Sequence, residues 1–207
     1  MLLIFDLDGT LFQAKPVVLL AVLRLFAELG IPAPDDNEIL KNAGRGAIEM
    51  LLNVLPDGVD PSSVMPRYYK QVRAAVLERG ELFPGVREAL ELLYAERHTL
   101  VVCTNSPEEY LELVLEHTGI SGLLKHFCST EGYPSKAAAI RDILRQFTRM
   151  DAIVIGDTHR DVEAAHENSL KAIAVTYGYG NQSLLANADY FASTPADVVS
   201  AVADALG

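Results

Sequence analysis

Half of the 207 residues are hydrophobic, and 28 acidic side chains against 17 basic ones give a formal net charge of −11. This length and hydrophobic content favour a main domain with a smaller insert and a full apolar core, which argues against disorder. The negative charge disfavours nucleic acid and anionic membrane surfaces as partners.

Two further features of the composition concern the location of the chain. No N-terminal segment has the pattern of a signal peptide, and the longest apolar stretch, residues 17–23, is too short to span a bilayer. Cys103 and Cys128 do not form a disulfide framework, so we expect both to be buried, reduced thiols. Together these features predict a cytoplasmic protein.

The first predicted element is a short buried strand that runs into the sequence Ile4 to Leu11. Asp6 and Asp8 stand where the strand becomes a loop, and because strand side chains alternate, both point to the same side. An ionised carboxylate away from water is costly unless it is paired or bound to a metal, so this pair needs a cation or many donors. The alternative is a strand end closed by an Asp-Gly turn, with the carboxylates bonded to loop amides.

Residues 14–80 follow with helical patterns only, separated by prolines and glycines. The predicted helices are residues 16–29, a short helix through residue 40, residues 48–55 and a longer helix that ends at about residue 79. Tyr68 and Tyr69 fit the core of this segment better than a binding surface. We interpret the segment as an insertion after the first strand that forms a lid.

From residue 81 onward, helices alternate with apolar strands. The predicted strands are residues 99–103, 126–129, 152–155, 172–176 and one near residue 190. Ser106 and Pro107 predict a helix start, with Ser106 as the cap, and Ser135 predicts another. The alternation predicts an α/β fold, a Rossmann-like core with a parallel sheet and helices on both faces.

Polar side chains stand at the ends of these strands or in the first turn of the helix that follows. They are Asp6 and Asp8, Thr104 and Asn105, Lys136, and Asp157 with Asp161. In a parallel sheet such ends lie at one edge, so these residues converge. Several carboxylates around one point repel each other unless a hard divalent cation neutralises them, and Mg²⁺ suits oxygen ligands together with a substrate phosphate.

This set of groups matches what phosphoryl transfer requires. Asp6 is the candidate nucleophile, and Asp8 is the candidate acid and base. Thr104 and Lys136 are candidates to hold the phosphoryl oxygens, and Asp157 is a candidate magnesium ligand.

Four ordered motifs carry a resemblance to the haloacid dehalogenase-like superfamily. They are Asp6 to Thr10, the strand end at Thr104, Lys136, and the stretch Gly156 to Asp161. Phe83 to Val86, Cys103 to Ser106, Pro134 to Lys136 and Val175 to Gly178 further resemble its phosphoglycolate phosphatase-like branch. The resemblance implies a core domain of residues 1–13 and 81–207 and a small all-helical cap domain of residues 14–80.

The resemblance also implies a ligand set. Mg²⁺ would be bound by Asp6, the backbone carbonyl of Asp8 and Asp157, with Asp161 acting through water or a hydrogen bond. The chain departs from many relatives at Gln13-Ala14, where Asp-Ser is common, and at Asn168-Ser169, where a glycine is usual. An asparagine can take the left-handed conformation there, so we expect little effect.

The expected function is a magnesium-dependent phosphatase that acts on a small phosphorylated metabolite, with a phosphoglycolate-like substrate favoured. Asn105 is a candidate substrate contact, and Arg45, between two glycines, is either a solvated loop residue or a cation for the second anionic end of the substrate. We expect a monomer or a homodimer. His159 and the segment Gly178 to Gly180 receive no role in catalysis or cofactor binding.

Three other functions stay open. A phosphosugar mutase or a dehalogenase would share the fold, although a dehalogenase has no use for the acid at Asp8. A phospho-accepting signalling domain would have an adjacent acidic pair and no helical insert. A non-catalytic partner protein with a relict site is the third alternative.

Overall fold

The computed structural model describes residues 1–43, 46–148 and 150–206 of the chain. The chain divides into two compact units. One contains Met1–Phe12 and the chain from Leu82 onward, and the other is Gln13–Glu81. Arg45 lies outside the described residues.

The first unit is an α/β unit built on a parallel sheet. In the part of the chain that the structure describes, the strands are β1 (Leu2–Phe5), β2 (Thr99–Thr104), β3 (His126–Ser129), β4 (Ala152–Gly156), β5 (Lys171–Val175) and β6 (Tyr190–Ala192). They lie in the order β3-β2-β1-β4-β5-β6, and every neighbouring pair is parallel. The predicted Rossmann-like α/β class is confirmed.

Strand β1 lies in the middle of this sheet, between β2 and β4. The chain continues from β1 to β2 on one side and later crosses to β4 on the other side, so the strand order reverses between β1 and β4. The register pairs Phe5 with Ile155, and the Asp6 N–H donates to the Ile155 carbonyl at 2.8 Å. Ligands in open parallel sheets bind beyond the strand ends at such a reversal, so Asp6 stands at the favoured position.

The helices of this unit are α5 (Val86–Ala95), α6 (Glu108–Thr118), α7 (Lys136–Gln146), α8 (His159–Glu167) and α9 (Pro195–Leu206). Helix α7 packs on α8, and their apolar residues join alternate strand residues such as Ile4, Val101 and Val154 in one core cluster. Helix α5 packs on α9. All four residues of β1 are buried, as expected for a strand covered on both faces.

All regular elements in the described part of the second unit are helices, which loops connect. Its helices are α1 (Ala14–Leu29), α2 (Asp36–Asn42), α3 (Ala47–Val54) and α4 (Pro61–Arg79). Helix α1 packs along α4, and Arg24 on α1 pairs with Glu78 on α4 at 2.6 Å. Helix α1 ends at Gly30, whose φ of 68° places it in the left-handed region that favours glycine. Tyr68 is buried as predicted, but Tyr69 is 41% exposed, so its prediction as a core residue is wrong.

After α8, Ser169 takes the left-handed conformation with a φ of 57°, whereas Asn168 has a φ of −100°. Two other local predictions are wrong. Ser106 does not cap α6, which begins at Glu108 with Pro107 before it, because the Ser106 hydroxyl bonds to a carboxylate elsewhere. Cys103 is buried, but Cys128 is only partly buried because β3 is an edge strand.

None of the helices within the described ranges is both long enough and apolar enough to cross a membrane.

Candidate active site

Three buried carboxylates meet at the edge of the sheet where β1 and β4 end. Asp6 follows β1, Asp157 follows β4, and Asp161 lies in the first turn of α8. One oxygen of each lies within 4.8 Å of one oxygen of each of the others. The predicted convergence of Asp6, Asp157 and Asp161 is therefore present in the structure.

A buried ammonium lies between two of these carboxylates. Lys136 Nζ is 2.5 Å from Asp6 Oδ1 and 2.5 Å from Asp161 Oδ1. Burial acts to lower the pKa of Lys136, but the charges of Asp161 and Asp6 outweigh it and hold the pKa above its ordinary value. Burial raises the pKa of Asp6 well above its usual range, with Lys136 opposing the shift. One ammonium does not balance three carboxylates, so all three can be ionised together only when further positive charge is bound.

Asp157 is held by the backbone of the segment that follows β5. Its Oδ2 accepts N–H bonds from Tyr179 at 2.7 Å and Gly180 at 3.1 Å. A Cβ at either Gly178 or Gly180 would collide with Asp157, so glycine is required at both positions. Burial is the main cause that raises the pKa of Asp157 to about 6.

The other oxygen of Asp157 tests whether this cluster fits a metal ion. Asp157 Oδ1 is buried and has no hydrogen-bond partner among the described residues. A buried carboxylate oxygen without a donor is costly, and a hard cation would satisfy it. With Asp6 within reach, the donor set is all oxygen and anionic, so it fits Mg²⁺.

Both oxygens of Asp161, in contrast, are used inside the protein. Oδ1 accepts from Lys136, and Oδ2 accepts from the Thr158 N–H at 3.0 Å and the Thr158 hydroxyl at 2.6 Å. Thr158 and Asp161 form a capping box that starts α8, in which the Asp161 side chain accepts the Thr158 N–H and the Thr158 side chain accepts the Asp161 N–H. Asp161 therefore fixes Lys136 to the beginning of this helix.

Asp8 is partly buried, and hydroxyl groups hold both of its oxygens. Ser106 Oγ donates to Oδ2 at 2.6 Å, and the Tyr110 hydroxyl donates to Oδ1 at 2.9 Å. Burial raises the pKa of Asp8, and these two hydrogen bonds partly offset the shift. The sequence indicated neither partner, because nothing local to Asp8 points to residues about a hundred positions away.

The candidate substrate contacts differ in their surroundings. Thr104 is buried, and its Oγ1 accepts the Ser106 N–H at 3.2 Å. Asn105 is exposed, and its Oδ1 accepts from the Thr130 hydroxyl at 3.0 Å. Arg45, the third candidate contact besides Lys136, lies outside the described residues.

Comparison with known families decides the assignment of the chain. Residues 3–175 match the family model described as haloacid dehalogenase-like hydrolase. The chain belongs to the haloacid dehalogenase-like hydrolase family. This match confirms the resemblance of the sequence motifs, and it disfavours a phospho-accepting signalling domain.

Curated relatives of this hydrolase are named phosphoglycolate phosphatase. One from Pseudomonas putida is 29% identical over 192 residues, which cover 87% of this chain and 71% of the relative. Another, from Vibrio parahaemolyticus, is 25% identical over 218 residues, which cover 98% of this chain and 96% of the relative. With the family match, these relatives support a phosphoric monoester hydrolase, a phosphatase.

A solved structure gives the same picture for the fold. A haloacid dehalogenase-like hydrolase from Streptococcus pneumoniae superposes with a TM-score of 0.84 at 27% identity, and the match covers 97% of each chain. The hydrolase fold therefore extends over nearly all of this chain, including the helical unit.

Proposed function

We propose that this chain is a Mg²⁺-dependent phosphatase that hydrolyses a small phosphomonoester through an aspartyl phosphate on Asp6. The observation that carries the proposal is the buried cluster of Asp6, Asp157 and Asp161, with Lys136 at 2.5 Å from two of them. Such a cluster is costly to fold and has an evident use in binding a cation and a phosphoryl group.

Asp6 is the proposed nucleophile. Lys136 bonds to Oδ1, and Oδ2 is not part of this ion pair. The ammonium stabilises the ionised carboxylate in a buried site. In the first step a bond forms between an Asp6 oxygen and phosphorus while the ester phosphorus–oxygen bond breaks, and its electron pair stays on the leaving oxygen.

Asp8 is the proposed acid and base. In the first step its carboxyl proton passes to the leaving oxygen, so that the alcohol departs neutral. In the second step the Asp8 carboxylate takes a proton from water as the water oxygen bonds to phosphorus. The bond between phosphorus and Asp6 breaks, which restores the Asp6 carboxylate, the protonated Asp8 and inorganic phosphate.

Mg²⁺ would be held by Asp6, the backbone carbonyl of Asp8 and the unpartnered Oδ1 of Asp157. When bound, it supplies positive charge that neutralises the carboxylates and the phosphoryl oxygens. Asp161 has both oxygens occupied within the protein, which favours a supporting role over direct ligation.

The proposed phosphoryl contacts are Thr104, Asn105 and Lys136. A phosphoglycolate-like substrate is favoured because the curated relatives carry that name. Such a substrate has a second anionic end, and we propose Arg45 as the cation that binds it. The helical unit, to which Arg45 belongs in sequence, is the proposed cap. Monomer or homodimer and cytoplasmic location stay predictions from the sequence.

The test is phosphate release from a panel of phosphate esters, with and without Mg²⁺. The panel includes 2-phosphoglycolate and hexose phosphates, and products are analysed for isomerised sugar phosphates. We expect phosphate release that requires Mg²⁺ and is fastest with a small anionic ester. Isomerised products without net phosphate release would show that the chain is a mutase and not a phosphatase. No turnover of any ester would overturn the proposal.

A further inference from the structure

We propose that Ser106 and Tyr110 are positioning residues that orient the Asp8 carboxyl toward the leaving oxygen of the substrate. The inference rests on the proposed function, in which Asp8 is the acid. Neither residue needs to touch substrate, because each acts through Asp8. The contacts that support this inference lie in three parts of the α/β unit: the loop after β1, the first turn of α6, and the ends of β2 and β3.

The two hydroxyls hold Asp8 from both of its oxygens. Ser106 Oγ bonds to Oδ2 at 2.6 Å, and the Tyr110 hydroxyl bonds to Oδ1 at 2.9 Å. The terminal torsion of an aspartate is broad, so one bond leaves the plane of the carboxyl group poorly fixed. Bonds at both oxygens fix that plane.

The Tyr110 ring is itself held in place. Tyr110 lies in the first turn of α6, and its ring packs edge-on against Phe12 with centroids 6.3 Å apart. Phe12 is fully buried and forms a bridge with the backbone of Asp8. The ring and the carboxylate are therefore both anchored to the same loop.

Ser106 is held through both of its backbone groups. Its N–H donates to Thr104 Oγ1 at 3.2 Å, and its carbonyl accepts from the Ser129 hydroxyl at 2.7 Å. Ser129 is buried, and its Oγ also accepts the Glu131 N–H at 3.1 Å. Residues from the ends of β2 and β3 thus fix the position from which the Ser106 hydroxyl reaches Asp8.

Hydroxyls suit this task in both protonation states of Asp8. A hydroxyl donates to a carboxylate, and it can equally donate to an oxygen of a carboxylic acid, which leaves the acid proton free to face the leaving oxygen. Each partner can therefore keep its contact when Asp8 gives up its proton to the leaving oxygen and when Asp8 takes a proton from water. A lysine in the same place would favour only the charged carboxylate.

The test uses the chemistry of the leaving group. Phenyl phosphate and p-nitrophenyl phosphate have similar shapes, but nitrophenolate departs readily as an anion, whereas phenolate benefits from protonation. The ratio of kcat/KM for the two esters reports the proton given by Asp8, because kcat/KM includes only steps through phosphoryl transfer to Asp6. The variants are Tyr110→Phe, which keeps the ring, and Ser106→Ala, with Ser106→Thr as the rescue.

We expect each variant to lower kcat/KM for phenyl phosphate by about tenfold and to leave p-nitrophenyl phosphate within about threefold. Ser106→Thr should recover most of the loss. Tyr94→Phe, at a side chain that is 55% exposed on α5, is the control and should change neither ester. Melting temperatures identify any variant that fails to fold.

An equal loss for both esters in Tyr110→Phe and Ser106→Ala would overturn the inference, because a structural role alone lowers both rates together. The proposed function would then still stand, since the parent protein hydrolyses the esters. If the parent released no phosphate from either ester under any Mg²⁺ concentration, the proposed function itself would fail, and this inference with it.

Discussion

The loop after β1 and the segment after β4, which includes the first turn of α8, each carry two carboxylates, but the groups that hold them differ in kind. In the loop after β1, distant side chains hold Asp6 and Asp8. These are Lys136 for Asp6 and the hydroxyls of Ser106 and Tyr110 for Asp8. All of these donors come from other helices and loops, so their contacts depend on the whole fold.

In the segment after β4, most of the donors are backbone N–H groups. Asp157 accepts from Tyr179 and Gly180, and Asp161 accepts from the N–H of Thr158 in addition to side-chain partners. Backbone donors are fixed in number and charge, whereas an ammonium or a hydroxyl can exchange protons. We infer that the loop after β1 carries the proposed reacting groups, and that the segment after β4 supplies Asp157 as a rigidly held magnesium ligand beside Asp6 and the Asp8 carbonyl.

The largest expected effect is at the proposed nucleophile, Asp6. Asp6→Asn keeps the shape of the side chain but removes the carboxylate proposed to attack phosphorus, and we expect phosphate release to fall by at least about a thousandfold. The fold should persist, because the amide avoids a buried charge. Steady-state kinetics and thermal melting check both points.

Asp204→Asn, at an exposed position on α9, is the matched control for that change. If the Asp6→Asn protein kept substantial activity, the proposed role of the loop after β1 would be wrong, since the reacting carboxylate would then have to lie elsewhere.

The next largest effect is expected at Lys136, whose ammonium bonds to both Asp6 and Asp161. Lys136→Met leaves Asp6 and Asp161 buried without their shared partner, and removing one member of a buried ion pair costs about 3–5 kcal/mol. We expect a clear fall in the free energy of unfolding, measured with urea at constant Mg²⁺, together with loss of phosphate release. Lys125→Met, at an exposed lysine, should leave both unchanged.

A stability equal to that of the parent in Lys136→Met would contradict the role of Lys136 as the main counter-charge of the cluster.

A substitution at Gly180 tests whether the backbone N–H groups position Asp157 for the metal ion. The Cβ of an alanine at this position would meet the backbone carbonyl of Asp157, so the segment must shift and its N–H bonds to Oδ2 must lengthen. We expect Gly180→Ala to weaken Mg²⁺ binding by about tenfold or more, measured by titration calorimetry without substrate. In Gly122→Ala, the added Cβ meets open space, so Mg²⁺ binding should stay as in the parent.

Unchanged Mg²⁺ affinity in Gly180→Ala would mean that the backbone donors do not position Asp157 for the ion.

The difference between the carboxylates and the groups that hold them explains what the sequence could predict. The four carboxylates were recognisable because each follows an apolar strand or starts the next helix, and strand ends in a parallel sheet share one edge. The succession of helices and strands along the chain was predictable from their apolar patterns, whereas the order of the strands in the sheet was not predicted. Lys136 was also recognised, although its observed contacts are with Asp6 and Asp161.

The groups that hold the carboxylates could not be predicted. Tyr110 is separated from Asp8 by 102 positions, and Ser106 had a plausible local use as a helix cap, which the structure replaces with the bond to Asp8. The donors at Tyr179 and Gly180 are backbone groups that every residue except proline has, so residue type gives no signal. The closest hint was the pair of glycines in that segment.

The smallest expected effect is at Thr158, whose hydroxyl is one of several donors to Asp161. Thr158→Val removes the hydroxyl bond to Asp161 Oδ2 at 2.6 Å but keeps the backbone bond at 3.0 Å. Loss of one helix-capping bond costs about 1 kcal/mol, so a modest fall in melting temperature is expected. Because Lys136 still holds Asp161, kcat should fall only about two- to fivefold. Thr158→Ser should restore the parent values, and Thr99→Val gives the baseline for the same change in β2. A loss in Thr158→Val as large as that in Asp6→Asn would contradict the inferred difference between the two segments, because a bond that only positions Asp161 would then matter as much as the proposed nucleophile.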